Sequence, residues 1–197
     1  MKIGITADCS SGVEYAPFKH HIKVTRTTIN MGEKVLVDGI DITADEFYKQ
    51  LENCDIIPTT AAPSVGEITK RVNEWRDEGC TDVIHFPISN GLSTYGVNMG
   101  QMADELFEGI KVHFFPSVQV CLPQGYVAHY AEILAAQGKS VNEILALCDK
   151  FQRQMTEYFV VDDLKYLMKN GRLKPLPGII GSIINIKPIL KIDAEGT

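Results

Sequence analysis

Three groups of hydroxyl, amide and carboxylate side chains are where this sequence could do chemistry. "ADCSSG" sets Asp8 beside Cys9, Ser10 and Ser11, "PTTAAPSVGE" (58–67) carries Thr59, Thr60 and Ser64, and "ISNGLSTYG" (88–96) carries Ser89, Asn90, Ser93 and Thr94. Hydroxyls and amides donate to anions. A helix start nearby adds free N–H groups and a partial positive charge, which suits a carboxylate or a phosphate. Asp8 together with the Ser/Thr clusters would instead suit a small-molecule phosphotransferase or hydrolase, which stands as the alternative function. "NGRLKP" adds Arg172 after a glycine turn. Its planar guanidinium could clamp an anionic headgroup, or it is a solvated loop charge.

Each group has a plainer reading. Glu67 stands three residues after Ser64, the spacing of a capping box, so Ser64 starts a helix. Thr59 and Thr60 precede that helix, outside the cap spacing, and are either anion ligands or ordinary loop hydroxyls. Ser93 could cap the helix that follows it. "CSSGVEY" has Tyr15 where a cysteine phosphatase needs its arginine, which removes that reading. His85 lies in the apolar run "DVIHFPIS" and is expected to be a satisfied core histidine. His20 and His21 are neighbours and cannot face one way. The five cysteines, Cys9, Cys54, Cys80, Cys121 and Cys148, include no C-x-x-C pair, so neither a disulfide framework nor a zinc site is expected. Neither glycine-rich nucleotide motif is present, and no metal, redox cofactor or catalytic residue is assigned.

The elements that must position these groups alternate. Strand-like runs at "KIGITA", "EKVLVDG", "DVIHFPIS" and "KVHFFPSV" are interleaved with helical patterns. Thr43 with Glu46 and Ser140 with Glu143 mark helix starts as capping boxes. Val65, Ile68, Val72 and Trp75 form one helical stripe, and Ile144, Leu147, Phe151 and Met155 another. The helix of "GYVAHYAEILAAQG" stops at Gly138. Strand followed by helix, repeated, predicts a three-layer α/β/α domain with a mainly parallel sheet over residues 1–155. Ligands of such sheets sit where strands end and helices begin, here at Asp8–Gly12, Thr59–Ser64 and Ser89–Thr94. After residue 155 the pattern changes to strand, short helix and glycine turn, then an apolar helix-like segment and a strand. Residues 156–197 therefore begin a second α/β lid domain, which is expected to be incomplete.

With 197 residues, 45% of them hydrophobic, the chain can bury a sizeable core. Its 19 Lys and Arg against 25 Asp and Glu leave a net charge of −6, with no basic cluster, so nucleic acid is not an expected partner. The longest apolar run, "IIGSIINI", is too short to cross a bilayer, and the opening "MKIGITAD" has no apolar signal region, so a reduced, cytoplasmic protein is expected.

These stretches, in this order, resemble the DegV family, the bacterial fatty-acid-binding proteins that include the FakB subunits of fatty acid kinase. "VDGIDITADEFYKQL", "YFVVDDLKYLMKNGRL" and "GSIINIKPILKID" are the most specific matches. "DCSS", "PTTAAPSVGE" and "ISNGLSTY" match the family's serine- and threonine-rich segments. The family's Thr-Ser-Gln reads Thr60-Ala61-Ala62 here. The resemblance implies two α/β domains with one long-chain fatty acid buried between them. It implies a carboxylate seat on Thr60 and Ser93, with Thr59, Ser89 and Asn90 as further candidates. It also implies that Arg172 lies at the headgroup or partner surface, and that any phosphorylation is done by a kinase subunit rather than by this chain.

Overall fold

The computed structural model describes residues 2–53, 56–173 and 187–197. In chain order the elements are β1 (Ile3–Asp8), β2 (Lys23–Thr25), β3 (Thr28–Met31), β4 (Lys34–Val37), α1 (Ala44–Leu51), β5 (Thr59–Ala61), α2 (Val65–Asp77), β6 (Asp82–Phe86), α3 (Tyr95–Gln101), α4 (Ala103–Leu106), β7 (Lys111–Phe114), α5 (Cys121–Ala136), α6 (Val141–Gln152), β8 (Tyr158–Val160), α7 (Lys165–Lys169) and β9 (Ile189–Lys191).

Four strands form an all-parallel sheet in the order β2-β1-β6-β7. Both faces are covered, as an all-parallel sheet requires. On one face Ile5, Ala7, Ile84 and Phe86 pack with Val127, Ala131, Leu134 and Ile144 of α5 and α6. On the other, Val83 and Val112 pack with Ile68, Val72 and Trp75 of α2 and with Met99 and Ala103 of α3 and α4. Two cores on one sheet make the three layers the strand–helix alternation predicts.

"EKVLVDG" does not join this sheet. It supplies β4 of a separate antiparallel sheet in the order β4-β3-β5, and Thr59 and Thr60 belong to β5 rather than to a loop. Their ladder partners, Asn30 and Ile29, lie far back in the chain. The predicted strand, short helix and glycine turn after residue 155 are β8, α7 and Gly171, whose φ is 68°. β8 pairs antiparallel with β9, and most of the apolar segment between α7 and β9 lies outside the described residues.

The helix starts follow their caps. Thr43–Glu46 and Ser140–Glu143 are complete capping boxes. Ser64 accepts from the Glu67 N–H, but the Glu67 carboxylate does not return to Ser64 and faces Arg71 at 3.4 Å instead, so only half the expected box forms. Val65, at the start of its stripe, stays exposed, while Ile68, Val72 and Trp75 are buried. The helix predicted from Gly125 starts at Cys121, since Pro123 falls in the first turn, where no N–H is needed. Ser140→Ala should cost about 1 kcal/mol. The Ser140 N–H, its hydroxyl and then Lys139 hold the Glu143 carboxyl at about 2 instead of its ordinary 4.5. Because the folded value is the lower, this contribution is present above pH 4.5 and is lost as pH falls towards 2. Thermal melts of wild type and Glu143→Gln should accordingly converge over that range.

Candidate functional site

A cavity of about 770 Å³ opens at the carboxyl ends of β1 and β6, where ligands of parallel α/β sheets sit. The parallel sheet supplies Asp8 and Ser10 at the end of β1 and Ile88, Leu92 and Ser93 after β6. The second sheet supplies Thr60 and Ala61 on β5, and the start of α5 supplies Val120 and Cys121. The opposite wall comes from residues beyond 155, where Phe159, Leu167, Leu190 and Ile192 alternate with the charged Glu157, Arg172, Lys191 and Asp193. Thr60 lines the cavity and Thr59 does not. Thr59 Oγ1 instead accepts from Asn30 Nδ2 at 3.4 Å.

The structure therefore brings together Thr60, Ser93, Asp8 and Arg172 of the residues singled out from sequence, and leaves Thr59, Ser89 and Asn90 off the cavity wall. Ser93 Oγ accepts the first N–H of α3, that of Tyr95, at 3.3 Å, so its own proton is free to donate. The helix itself begins two residues after Ser93, with Thr94 before it making no side-chain cap. Ser89 is fully buried, and its hydroxyl donates to the Gly196 carbonyl at 2.7 Å. Asn90 donates its backbone N–H to the Ser117 carbonyl at 2.9 Å. Arg172 is exposed at the rim and donates from Nη1 to the Asn170 carbonyl at 2.6 Å.

Asp8 is 1% exposed. Its Oδ1 accepts from the Ser10 hydroxyl and, at 2.9 Å, from Gln124 Nε2, while Oδ2 accepts the Ile88 N–H at 2.7 Å. Three donors thus hold a carboxylate that ties β1 to the loop after β6 and to α5. Burial pushes its carboxyl above the ordinary value of 3.8, against the pull of Ser10, Gln124 and Ile88. So engaged, it is poorly placed to act as nucleophile or base. Gln124 was missed from sequence. It is 1% exposed on an otherwise apolar stretch of helix, and that burial is visible only in the fold.

His85 is fully buried, as expected, and both ring nitrogens are used. Nδ1 lies 2.9 Å from Thr6 Oγ1 and Nε2 3.1 Å from the Tyr95 hydroxyl. Burial holds its pKa down to about 3, so the ring is neutral. Cys9, Cys80, Cys121 and Cys148 are all free thiols. Among the described residues no cluster of His, Cys, Asp or Glu could hold a metal ion, and no helix is long and apolar enough to cross a membrane.

A cavity with apolar side chains on one wall and hydroxyls on the other, at the strand ends of a doubly covered parallel sheet, suits the binding of a small amphipathic molecule. The chain belongs to the DegV family: the model of that family, described as "Uncharacterised protein, DegV family", matches residues 2–197. A DegV domain-containing protein of Clostridium acetobutylicum is 33% identical over 99% of this chain and 69% of its own length. Two solved structures share the fold. The fatty acid binding DegV family protein from Streptococcus agalactiae has a TM-score of 0.84 at 26% identity, covering 100% of this chain and 70% of that one. DegV, a fatty acid binding protein from Bacillus subtilis, has a TM-score of 0.81 at 28% identity, covering 99% of this chain and 69% of that one.

Proposed function

We propose that this protein binds one long-chain fatty acid in the cavity, with the carboxylate on the Thr60 and Ser93 hydroxyls and the acyl chain against the wall beyond residue 155. The observation that carries the reading is the pairing of these two hydroxyls with the facing apolar side chains of Phe159, Leu167, Leu190 and Ile192 in one cavity of about 770 Å³. A buried carboxylate needs several donors, and each buried methylene gains about 0.8 kcal/mol, so the acyl chain dominates affinity and the hydroxyls set its direction. The fatty-acid-binding descriptions of both related structures support the same ligand. Residues 1–155 act as the first domain and 156–197 as the opening part of a lid domain. The protein works in the cytoplasm, needs no cofactor and carries no chemistry of its own. It presents the bound acid to a fatty acid kinase subunit, with Arg172 at the rim they share.

Purified protein extracted with organic solvent should yield a fatty acid by mass spectrometry. Protein that is empty, and shows no thermal shift with palmitate or oleate, would remove the reading. Thr60→Val should weaken palmitate binding by about 1–3 kcal/mol, because the carboxylate loses a donor. Unchanged affinity would place the headgroup elsewhere.

A further inference from the structure

We propose that His85 is a positioning residue for the headgroup seat, acting on Ser93 through Tyr95. The inference rests on the fatty-acid reading above. It starts from an oddity of β6. A position with no exposure, in the middle of the parallel sheet, is cheapest to fill with Val or Ile, yet it holds an imidazole.

The imidazole spans two layers. Its Nδ1 meets Thr6 Oγ1 at 2.9 Å on the neighbouring strand, where Thr6 and His85 are register partners. Its Nε2 meets the Tyr95 hydroxyl at 3.1 Å. A neutral imidazole has one N–H and one lone pair, and each flanking hydroxyl can donate or accept, so the chain is satisfied with either tautomer. Phe114 closes the group, edge-on to His85 at 5.1 Å and to Tyr95 at 6.5 Å between ring centroids.

Tyr95 is the first residue of α3 and is anchored twice. Its ring is tied down by His85, while its backbone N–H donates to Ser93 Oγ at 3.3 Å. Thr94, just before the helix, makes no side-chain cap, and α3 is seven residues long. The hydroxyl that faces the ligand is therefore aimed by a residue whose own place is set from beneath by His85. Groups that contact a ligand need such supporting partners to stay within a fraction of an ångström of the productive geometry.

An apolar residue at 85 would orphan the Thr6 hydroxyl, leave the Tyr95 hydroxyl with Thr25 alone, free the Tyr95 ring to tilt, and move Ser93 with it. His85→Leu is expected to weaken palmitate binding about tenfold. Loss of stability alone could also follow from that change, so the decisive readout is coupling. With palmitate, measured well below every variant's melting temperature, His85→Leu should add nothing in a Ser93→Ala background but should add in full to Thr60→Val. Tyr95→Phe keeps the ring and removes only the hydroxyl. It should reproduce the loss without adding to that of His85→Leu, and it serves if the leucine variant does not fold. His85→Gln, which can still reach Tyr95, should restore part of the affinity.

If Ser93→Ala weakens binding while Tyr95→Phe and His85→Leu do not, or if their effects add to that of Ser93→Ala, the positioning role is overturned and the fatty-acid site stands. If palmitate binds but neither Thr60→Val nor Ser93→Ala matters, the headgroup seat and this role both fall. If no fatty acid binds at all, the functional reading falls with them.

Discussion

Gly4→Ala is expected to cost about 3 kcal/mol or more of folding stability, because a single methyl group there would fall inside the Trp75 indole. A Cβ at Gly4 would overlap Cγ and Cδ2 of that ring, far inside van der Waals contact. Neither side can retreat. Gly4 is on β1, held between β2 and β6 by parallel ladders, and its own partner is Val83. Trp75 is buried at the base of α2, and its Nε1–H donates to the Ile5 carbonyl at 3.1 Å. Relief by swinging the indole out would break that bond and uncover the Ile68–Val72 cluster, adding about 1 kcal/mol for the bond to an overpacking cost of about 1–3. Trp75 is the only tryptophan in the chain, so its fluorescence during urea unfolding reports on the perturbed contact directly. An unchanged midpoint would show that the strand and helix can separate freely. Trp75→Leu should cost less in the Gly4→Ala background than alone, a coupling read by circular dichroism once the fluorophore is gone.

What was legible beforehand depended on how far apart the interacting residues lie. The boxes at Thr43 and Ser140 and the buried stripe of α2 rest on partners three or four positions away, and spacing alone announces them. The parallel sheet was legible too, because β1, β6 and β7 are runs of apolar residues between helical patterns. β2 and β3 were missed because "KVT" and "TINM" are too short to show a period of two. Thr59 and Thr60 looked like loop hydroxyls because the strand that pairs with them ends 28 residues earlier, at Met31. Ser89, read as a ligand candidate, is spent on Gly196, 107 positions away. Even the local rule failed once, at Ser64. There Arg71, four residues after Glu67, offers the carboxylate a charged partner on the same helix face, and the box stays half made. The cavity wall beyond residue 155 could not be read from composition, because which faces of β8 and β9 turn inward depends on their register with each other.

Asp8→Ala is expected to be nearly as damaging, at about 3 kcal/mol, for the opposite reason: it removes an acceptor that three elements share. The Ser10 hydroxyl has a second acceptor in Gln124 Oε1 at 3.0 Å, so it survives the change. The Ile88 N–H and one of the Gln124 N–H groups lose their Asp8 partner. Asp8→Asn separates charge from shape. Its amide has one oxygen, so whichever way it turns, an N–H group faces either Ile88 or Gln124, and about 1–3 kcal/mol is still lost. The same pair of proteins tests the electrostatics. Burial raises the Asp8 carboxyl above 3.8, so the folded protein holds this proton more tightly than the unfolded chain does. Stability from this group is therefore greatest below pH 3.8, falls as pH rises through the folded value, and is flat above it. Urea unfolding from pH 4 to 8 should show wild type losing ground against Asp8→Asn at the acid end of the range and holding constant at the other. A difference that grows with pH instead would mean that the three donors outweigh burial, and that Asp8 is held in the cavity wall as a stabilised anion. With either sign, the ionised carboxylate above its folded value would repel a fatty-acid carboxylate and press it towards Thr60 and Ser93.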